Sequence, residues 1–510
     1  MRVRNIIKNG TWSLIAYLIL FVFGLLNRRL FLTVFDDNIL GYAGVFSNIF
    51  SLLSITEMGT STVISYGLYR EIENRNEIEI AKLMMIYKVV YRFVGGFIFL
   101  SGIIIMPLLP YIITGNNINW HITILLYIIQ LINTISTYFM SFRRLLYICN
   151  QKSYICIKVD TFVNVLVVLI KIFIIIYIKN FMLYFIIDIF GTCLSNLILS
   201  IMCNREYPYA RYIKIKKEDF IHFNFFKDTS AYLIQRIACA VYGGIDNILA
   251  SKLLGVSSVV YLTNYTTIEA QVTRLLDKIM GGLQARIGSL IYSNELENNR
   301  KKNIYHALEL YGYLLAIFVT ISYFVMFQPV ISLWLGEKYQ LSNVFVFMFS
   351  INQYIAWNHR IIAYYRSALG DFKADLIYMI IGAIANVLLS VILAIKIGYT
   401  GLIFATVISH LILWYGRGKV VYTHLFGLIE YKKYWLMQLI KALLMIIELI
   451  IVYAICINIK NTVTGILIKG VLCLLIPNIL NIFIFRNSEG ILLLKNYMKS
   501  IFGKCNNIFK

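Results

Sequence analysis

Apolar residues fill this chain in long runs, such as Leu14–Leu26 and Ile170–Tyr177, separated by short polar connections. A bilayer core requires about 20 apolar residues per helix, so the runs predict membrane-spanning helices. Fourteen spans are expected, at 11–33, 40–66, 83–113, 121–147, 154–178, 180–203, 228–253, 258–283, 305–335, 341–366, 371–396, 399–424, 435–458 and 463–485. The period-two alternation of a transmembrane β-barrel is absent from the sequence. Inside the fourth run, Gln130, Thr134, Thr137, Ser141 and Arg144 recur at intervals of 4, 3, 4 and 3, the spacing of one helical face. The same intervals, 222 positions later, pick out Asn352, Ala356, His359, Ala363 and Arg366. Such a stripe either lines a watery cavity or forms a small-residue seam between close helices.

Composition agrees with the pattern. Of 510 residues, 60% are hydrophobic and 14% charged, and the mean hydropathy is +0.75. The net charge of +22 would suggest nucleic acid, but its distribution points elsewhere. At the termini and even-numbered connections, with the adjoining helix ends, lie 33 of the 47 basic residues; the odd-numbered side holds 7: Arg28, Arg29, Lys179, Lys252, Lys338, Lys396 and Lys460. This asymmetry predicts cytoplasmic termini in a multi-pass protein of the cytoplasmic membrane, with attraction for anionic lipid head groups and no nucleic-acid partner. The first apolar run is too long for a signal peptide and is read as the first helix. Eight cysteines without a Cys-x-x-Cys pair or a histidine cluster predict neither metal nor disulfide framework.

An internal repeat organises the spans. The 222-residue offset also relates Pro107 to Pro329, Tyr91 to Tyr313 and Asn164 to Asn386; elsewhere it drifts to 214, as Leu40-Gly41 recurs at Leu254-Gly255. The expected architecture is all-α: two six-helix lobes in parallel orientation, followed by two C-terminal helices. The expected divisions are 1–227, 228–424 and 425–510. Parallel repeats of this kind belong to transporters that rock two lobes around a central cavity.

The string LGYAGVFSNIFSLLSITEMGTSTVISYGLYREIE (Leu40–Glu73) resembles the second helix of Wzx-type polysaccharide repeat-unit flippases. DNILASKLLGVSSVVYLTNY (Asp246–Tyr265), SLWLGEKY (Ser332–Tyr339) and RSALGDFK (Arg366–Lys373) resemble that family's second copy. The family belongs to the multidrug/oligosaccharidyl-lipid/polysaccharide exporter superfamily. The resemblance implies translocation of undecaprenyl-pyrophosphate-linked oligosaccharide by alternating access, for cell-surface polysaccharide. An H+ or Na+ counter-ion, membrane lipids and the polysaccharide assembly machinery would be its partners.

Carrying a pyrophosphate and a sugar through the bilayer calls for cations and polar side chains in a wet cavity. Arginine suits phosphate because its planar fork binds oxygens in pairs. The candidates to meet substrate are Arg28, Arg29, Gln130, Thr137, Arg144, Arg236, Asn247, Arg274, His359 and Arg366, with Arg92 and Arg360 as further cations. Arg236 shares a helix face with Gly243 and Asn247, and otherwise snorkels to the cytoplasmic interface. Ion-coupling candidates are Glu57, Asp246, Glu269 and Asp277, with Asp160, Asp188 and Glu448 also within spans. Pairing among Glu269, Arg274 and Asp277 is the structural alternative. Pro107 and Pro329 predict equivalent kinks in the two lobes.

Two other functions compete. One is a cation-coupled small-molecule exporter of the same superfamily, which twelve spans and fewer arginines would suit better. The other is a membrane polysaccharide polymerase or glycosyltransferase, disfavoured by short outer connections without paired carboxylates. No Gly-rich nucleotide loop occurs, so no cofactor is expected.

Overall fold

The computed structural model describes residues 2–54, 60–115, 118–210, 238, 245–280, 283–292, 298–369 and 373–488. No strand occurs among them. The chain divides into two compact units, Met1–Thr263 and Asn264–Lys510.

In the first unit α1 spans Arg2–Val34, α2 Asp37–Leu53, α3 Thr60–Glu73 and α4 Glu77–Ile105. α5 covers Trp120–Met140, α6 Ser153–Phe173 and α7 Phe181–Glu206. α8, Ser258–Met280, crosses the division. The second unit continues with α9 (Leu283–Tyr292), α10 (Asn298–Leu335), α11 (Asn343–Asn358) and α12 (Arg360–Leu369). It ends with α13 (Leu376–Ile397), α14 (Tyr399–Leu425), α15 (Leu428–Cys456) and α16 (Val463–Ile484).

Helix starts follow local chemistry. Asp36, Asn76, Asn119, Asn180, Ser342 and Thr462 each accept a hydrogen bond from a first-turn backbone N–H. These side chains satisfy donors that the helix itself leaves unpaired. α13 and α14 form a tight antiparallel hairpin because Gly401 and Gly416 carry no Cβ. A Cβ on Gly401 would lie 2.2 Å from Leu393 O, and one on Gly416 2.2 Å from the Tyr378 ring. α15 and α16 pack on α10, where the Tyr313 hydroxyl donates to Lys441 O at 3.0 Å.

Among the described residues, ten helical segments are long and apolar enough to cross a membrane. The other four expected spans are 40–66, 228–253, 258–283 and 341–366. Most of 228–253 lies outside the described residues. α8 forms as a helix, but Asn264, Glu269, Gln271 and Arg274 among its residues make it too polar to count among the ten. The segment expected at 341–366 is two helices, α11 and α12, interrupted by a turn at His359. The first stripe is also broken: α5 ends at Met140, a 3-10 turn covers Ser141–Arg143, and a short helix runs Arg144–Cys149. Neither stripe is therefore one uninterrupted helix face. The proline pair differs too. Pro107 falls in a 3-10 turn, Met106–Leu108, that ends α4, while α10 continues through Pro329.

Within the first unit, the segment before α8 docks on the loop after α4. The Val256 N–H donates to Thr114 O at 2.8 Å, and the Thr114 hydroxyl donates to Ser251 O at 2.8 Å. Gly255, with φ +93°, makes the turn that allows this docking.

Candidate functional site

The first unit contains a polar pocket of about 340 Å³. Ser47, Ser51 and Ser54, spaced by four and three residues at the end of α2, contribute one wall. Gln130, Asn133 and Thr134 of α5 contribute a second, and Asp188 of α7 lies across from them with Phe50, Ile129 and Phe185. Hydroxyls, amides and a carboxylate converge here inside an apolar helical unit. Thr134 and Asn133 are held in place: the Thr134 hydroxyl donates to Gln130 O at 2.9 Å, and Thr192 donates to Asn133 Oδ1 at 2.8 Å.

The charge in this pocket is paired. Lys171 of α6, almost fully buried, donates to Asp188 Oδ2 at 2.6 Å, and its ammonium lies 4.1 Å from the centre of the Tyr184 ring. Asn27 of α1 donates to the Tyr184 hydroxyl at 2.7 Å. Lys171 and Asp188 thus join α6 to α7, and Asn27 joins α1 to Tyr184 on the same α7. A buried ammonium is tolerable only with such a partner, because desolvating an isolated charge costs several kcal/mol, on the order of the buried-ion penalty. Arg28 donates to the Thr263 hydroxyl at 2.7 Å, while Arg29 is exposed on α1.

The arginines that close the two stripes are anchored rather than free. Arg144 donates to both Asp160 oxygens, at 2.7 and 2.9 Å, and also to Asn196 and Ser195. Arg366 pairs with Asp375, and Arg417 reaches the other oxygen of the same carboxylate at 3.2 Å. His359 is buried and accepts from Arg417 at Nε2, 3.2 Å away; because arginine only donates, the ring proton sits on Nδ1, 3.1 Å from Ile355 O. Thr137, the counterpart of His359, is exposed and donates to Asn133 O.

In α8, Thr273 donates to Glu269 Oε1 at 2.8 Å. Asp277 pairs with Arg360 of α12, whose guanidinium stacks 4.5 Å from the centre of the Trp357 ring. Arg274 is exposed. The expected pairing among Glu269, Arg274 and Asp277 is therefore replaced, for Asp277, by a partner on another helix. Asp246 and Asn247 lie half-buried on the helical run 245–254. Glu57 and Arg236 lie outside the described residues.

One network was not foreseen from sequence. Glu309 of α10 accepts from Lys441 at 2.5 Å and from Gln438 at 2.6 Å, both on α15, and Asn358 donates to Gln438 at 2.7 Å. Lys441 and Glu309 share no helix, so spacing along the chain carries no signal for them. Among the described residues no cluster of His, Cys, Asp or Glu is arranged to hold a metal ion.

No family model matches the sequence, and no curated protein matches it either. Solved structures do. Over 94% of this chain and 99% of the other, the fold is similar to lipid II flippase MurJ in an inward closed conformation, with a TM-score of 0.67 at 15% identity. An inward-facing multidrug resistance MATE transporter of the MOP superfamily matches 79% of this chain and 94% of its own, with a TM-score of 0.59 at 13% identity. An Asp-to-Asn variant of the Vibrio cholerae MATE transporter VcmN matches 82% and 97%, at 0.57 and 13%. These likenesses show that the chain has the helical fold shared by this flippase and these exporters.

Proposed function

We propose that this protein is a flippase for undecaprenyl-pyrophosphate-linked oligosaccharide, working by alternating access in the cytoplasmic membrane with both termini cytoplasmic. The observation that carries the reading is coverage. The flippase fold accounts for 94% of the chain and the VcmN fold for 82%, a margin comparable in length to α15 and α16 together. The reading has fourteen spans arranged as two six-helix lobes, 1–227 and 228–424, with an appended pair in 425–510.

In this reading α8 faces water rather than lipid, which its polar residues favour. Arg28, Arg29, Arg236, Asn247 and Arg274 meet the pyrophosphate, with Gln130 and Thr137 toward the sugar. Glu57, Asp246, Glu269 and Asp277 are the carboxylates for an H+ or Na+ counter-ion. Arg144, His359 and Arg366, held by internal partners, shape each lobe from behind the cavity.

The test is reconstitution into liposomes with a fluorescent undecaprenyl-pyrophosphate-linked oligosaccharide, followed by an impermeant quencher. Protein-dependent exchange between leaflets supports the flippase. Its absence, together with cation-gradient-driven uptake of an organic cation, identifies the small-molecule exporter, the reading that the likeness to MATE transporters favours.

A further inference from the structure

A second cavity, of about 490 Å³, lies in the first unit between α6 and α7, away from the polar pocket. Its walls are Ile155, Val159 and Phe162 of α6 with Ile198 and Met202 of α7. Ligand sites commonly span roughly 300–1,000 Å³, so the size is that of a binding groove. From Tyr154 to Phe162 it runs about 12 Å along α6, at 1.5 Å per residue.

The groove is apolar along its length except for one cation on its α6 wall. Lys158 lines it and lies 4.3 Å from the centre of the Trp12 ring and 5.7 Å from that of Tyr154. Lys8 of α1 lies 5.2 Å from the same Tyr154 ring. Among the described residues neither ammonium has a carboxylate partner. The site is also built, not incidental. Asn9 accepts from the Tyr154 N–H at 2.8 Å and donates to Gln151 O at 3.1 Å, fixing the start of α1 against the start of α6.

Two like charges gathered round one ring repel each other, and an anion between them offsets that repulsion. Tryptophan and tyrosine beside lysine mark the membrane–water interface, where the polar end of a lipid resides. We infer that this groove holds one anionic phospholipid, its phosphate between Lys8 and Lys158 and an acyl chain along Ile155, Val159, Phe162, Ile198 and Met202. An apolar channel of this length excludes a free anion as the natural occupant, because inorganic phosphate would leave it empty. The inference requires only that the helices span a bilayer, so it stands or falls separately from the carried substrate.

The test uses the full-length protein in detergent and native mass spectrometry with phosphatidylglycerol or phosphatidylcholine of identical acyl chains. Wild type should retain phosphatidylglycerol preferentially. In K8Q/K158Q that preference should fall about tenfold or more, since each lysine near an anionic lipid contributes separately. K8R/K158R should keep it, and Ile198→Trp, which fills the groove, should lose it with both lysines present. The inference is overturned if K8Q/K158Q keeps the preference while K8R/K158R folds normally. It is also overturned if inorganic phosphate displaces the lipid, or if equimolar undecaprenyl phosphate does so preferentially.

Discussion

Arg144 holds Asp160 through two guanidinium nitrogens, at 2.7 and 2.9 Å, and its counterpart at 222 positions' distance, Arg366, pairs with Asp375. In each unit the arginine that ends the polar stripe meets an aspartate of the next long helix, Asp160 within α6 and Asp375 at the start of α13. The stripe arginines are not stranded charges: Asp160 answers Arg144, and Asp375 answers both Arg366 and Arg417.

The two pairs differ in burial, and that difference sets the first prediction. Arg366 and Asp375 have side chains 2% and 0% exposed, against 26% and 32% for Arg144 and Asp160. Removing one partner of a buried pair costs about 3–5 kcal/mol, whereas solvent screens a half-exposed one. Arg366→Ala should therefore lower the melting temperature in detergent by more than Arg144→Ala. Equal melting of the two variants would contradict the burial argument.

Lys171 and Asp188 make a coupled pair at the polar pocket. Lys171→Met strands a carboxylate and Asp188→Leu strands an ammonium, so each single change should destabilise strongly. The double change should melt closer to wild type than either single one, with a coupling of about 0.5–3 kcal/mol. Strictly additive losses would show that the two side chains do not sustain each other.

Thr137 and His359 occupy corresponding positions but different surroundings. His359→Trp enlarges a packed, hydrogen-bonded site and should cost about 1–3 kcal/mol of stability. Thr137→Trp adds bulk at an exposed position and should leave melting unchanged while slowing substrate exchange. A fall in melting temperature for Thr137→Trp equal to that of His359→Trp would count against the cavity position proposed for Thr137.

Orientation is testable without substrate. In a cysteine-free background, Asn461→Cys should react with an impermeant reagent added outside intact cells. Lys301→Cys should react only after permeabilisation. The reverse pattern would invert the topology drawn from the basic residues.

The apolar helices were legible because twenty-residue runs declare themselves, and the caps at Asn119 and Asn180 stand where those runs begin. The stripe positions were legible as a spacing, but not the breaks at Ser141–Arg143 and His359, because 3.6-residue periodicity continues across a short interruption. Pairing was the least visible. Asp277 has Arg274 three residues away, yet its partner is Arg360, 83 residues along the chain. Lys171 and Asp188 are 17 residues apart on adjacent helices, and Glu309 and Lys441 are 132 apart. Helical neighbour rules see only one helix at a time.

Asp375 also carries information about the order of assembly. Arg366 is 9 residues from it and Arg417 is 42 away, beyond the α13–α14 hairpin. As the chain emerges from the ribosome, the Arg366–Asp375 contact is available first and is electrically neutral on its own. Arg417 can join only once most of α14 has been made. The late guanidinium then ties α14 to the start of α13. A nascent chain released before α14 would have the local pair but not this tie.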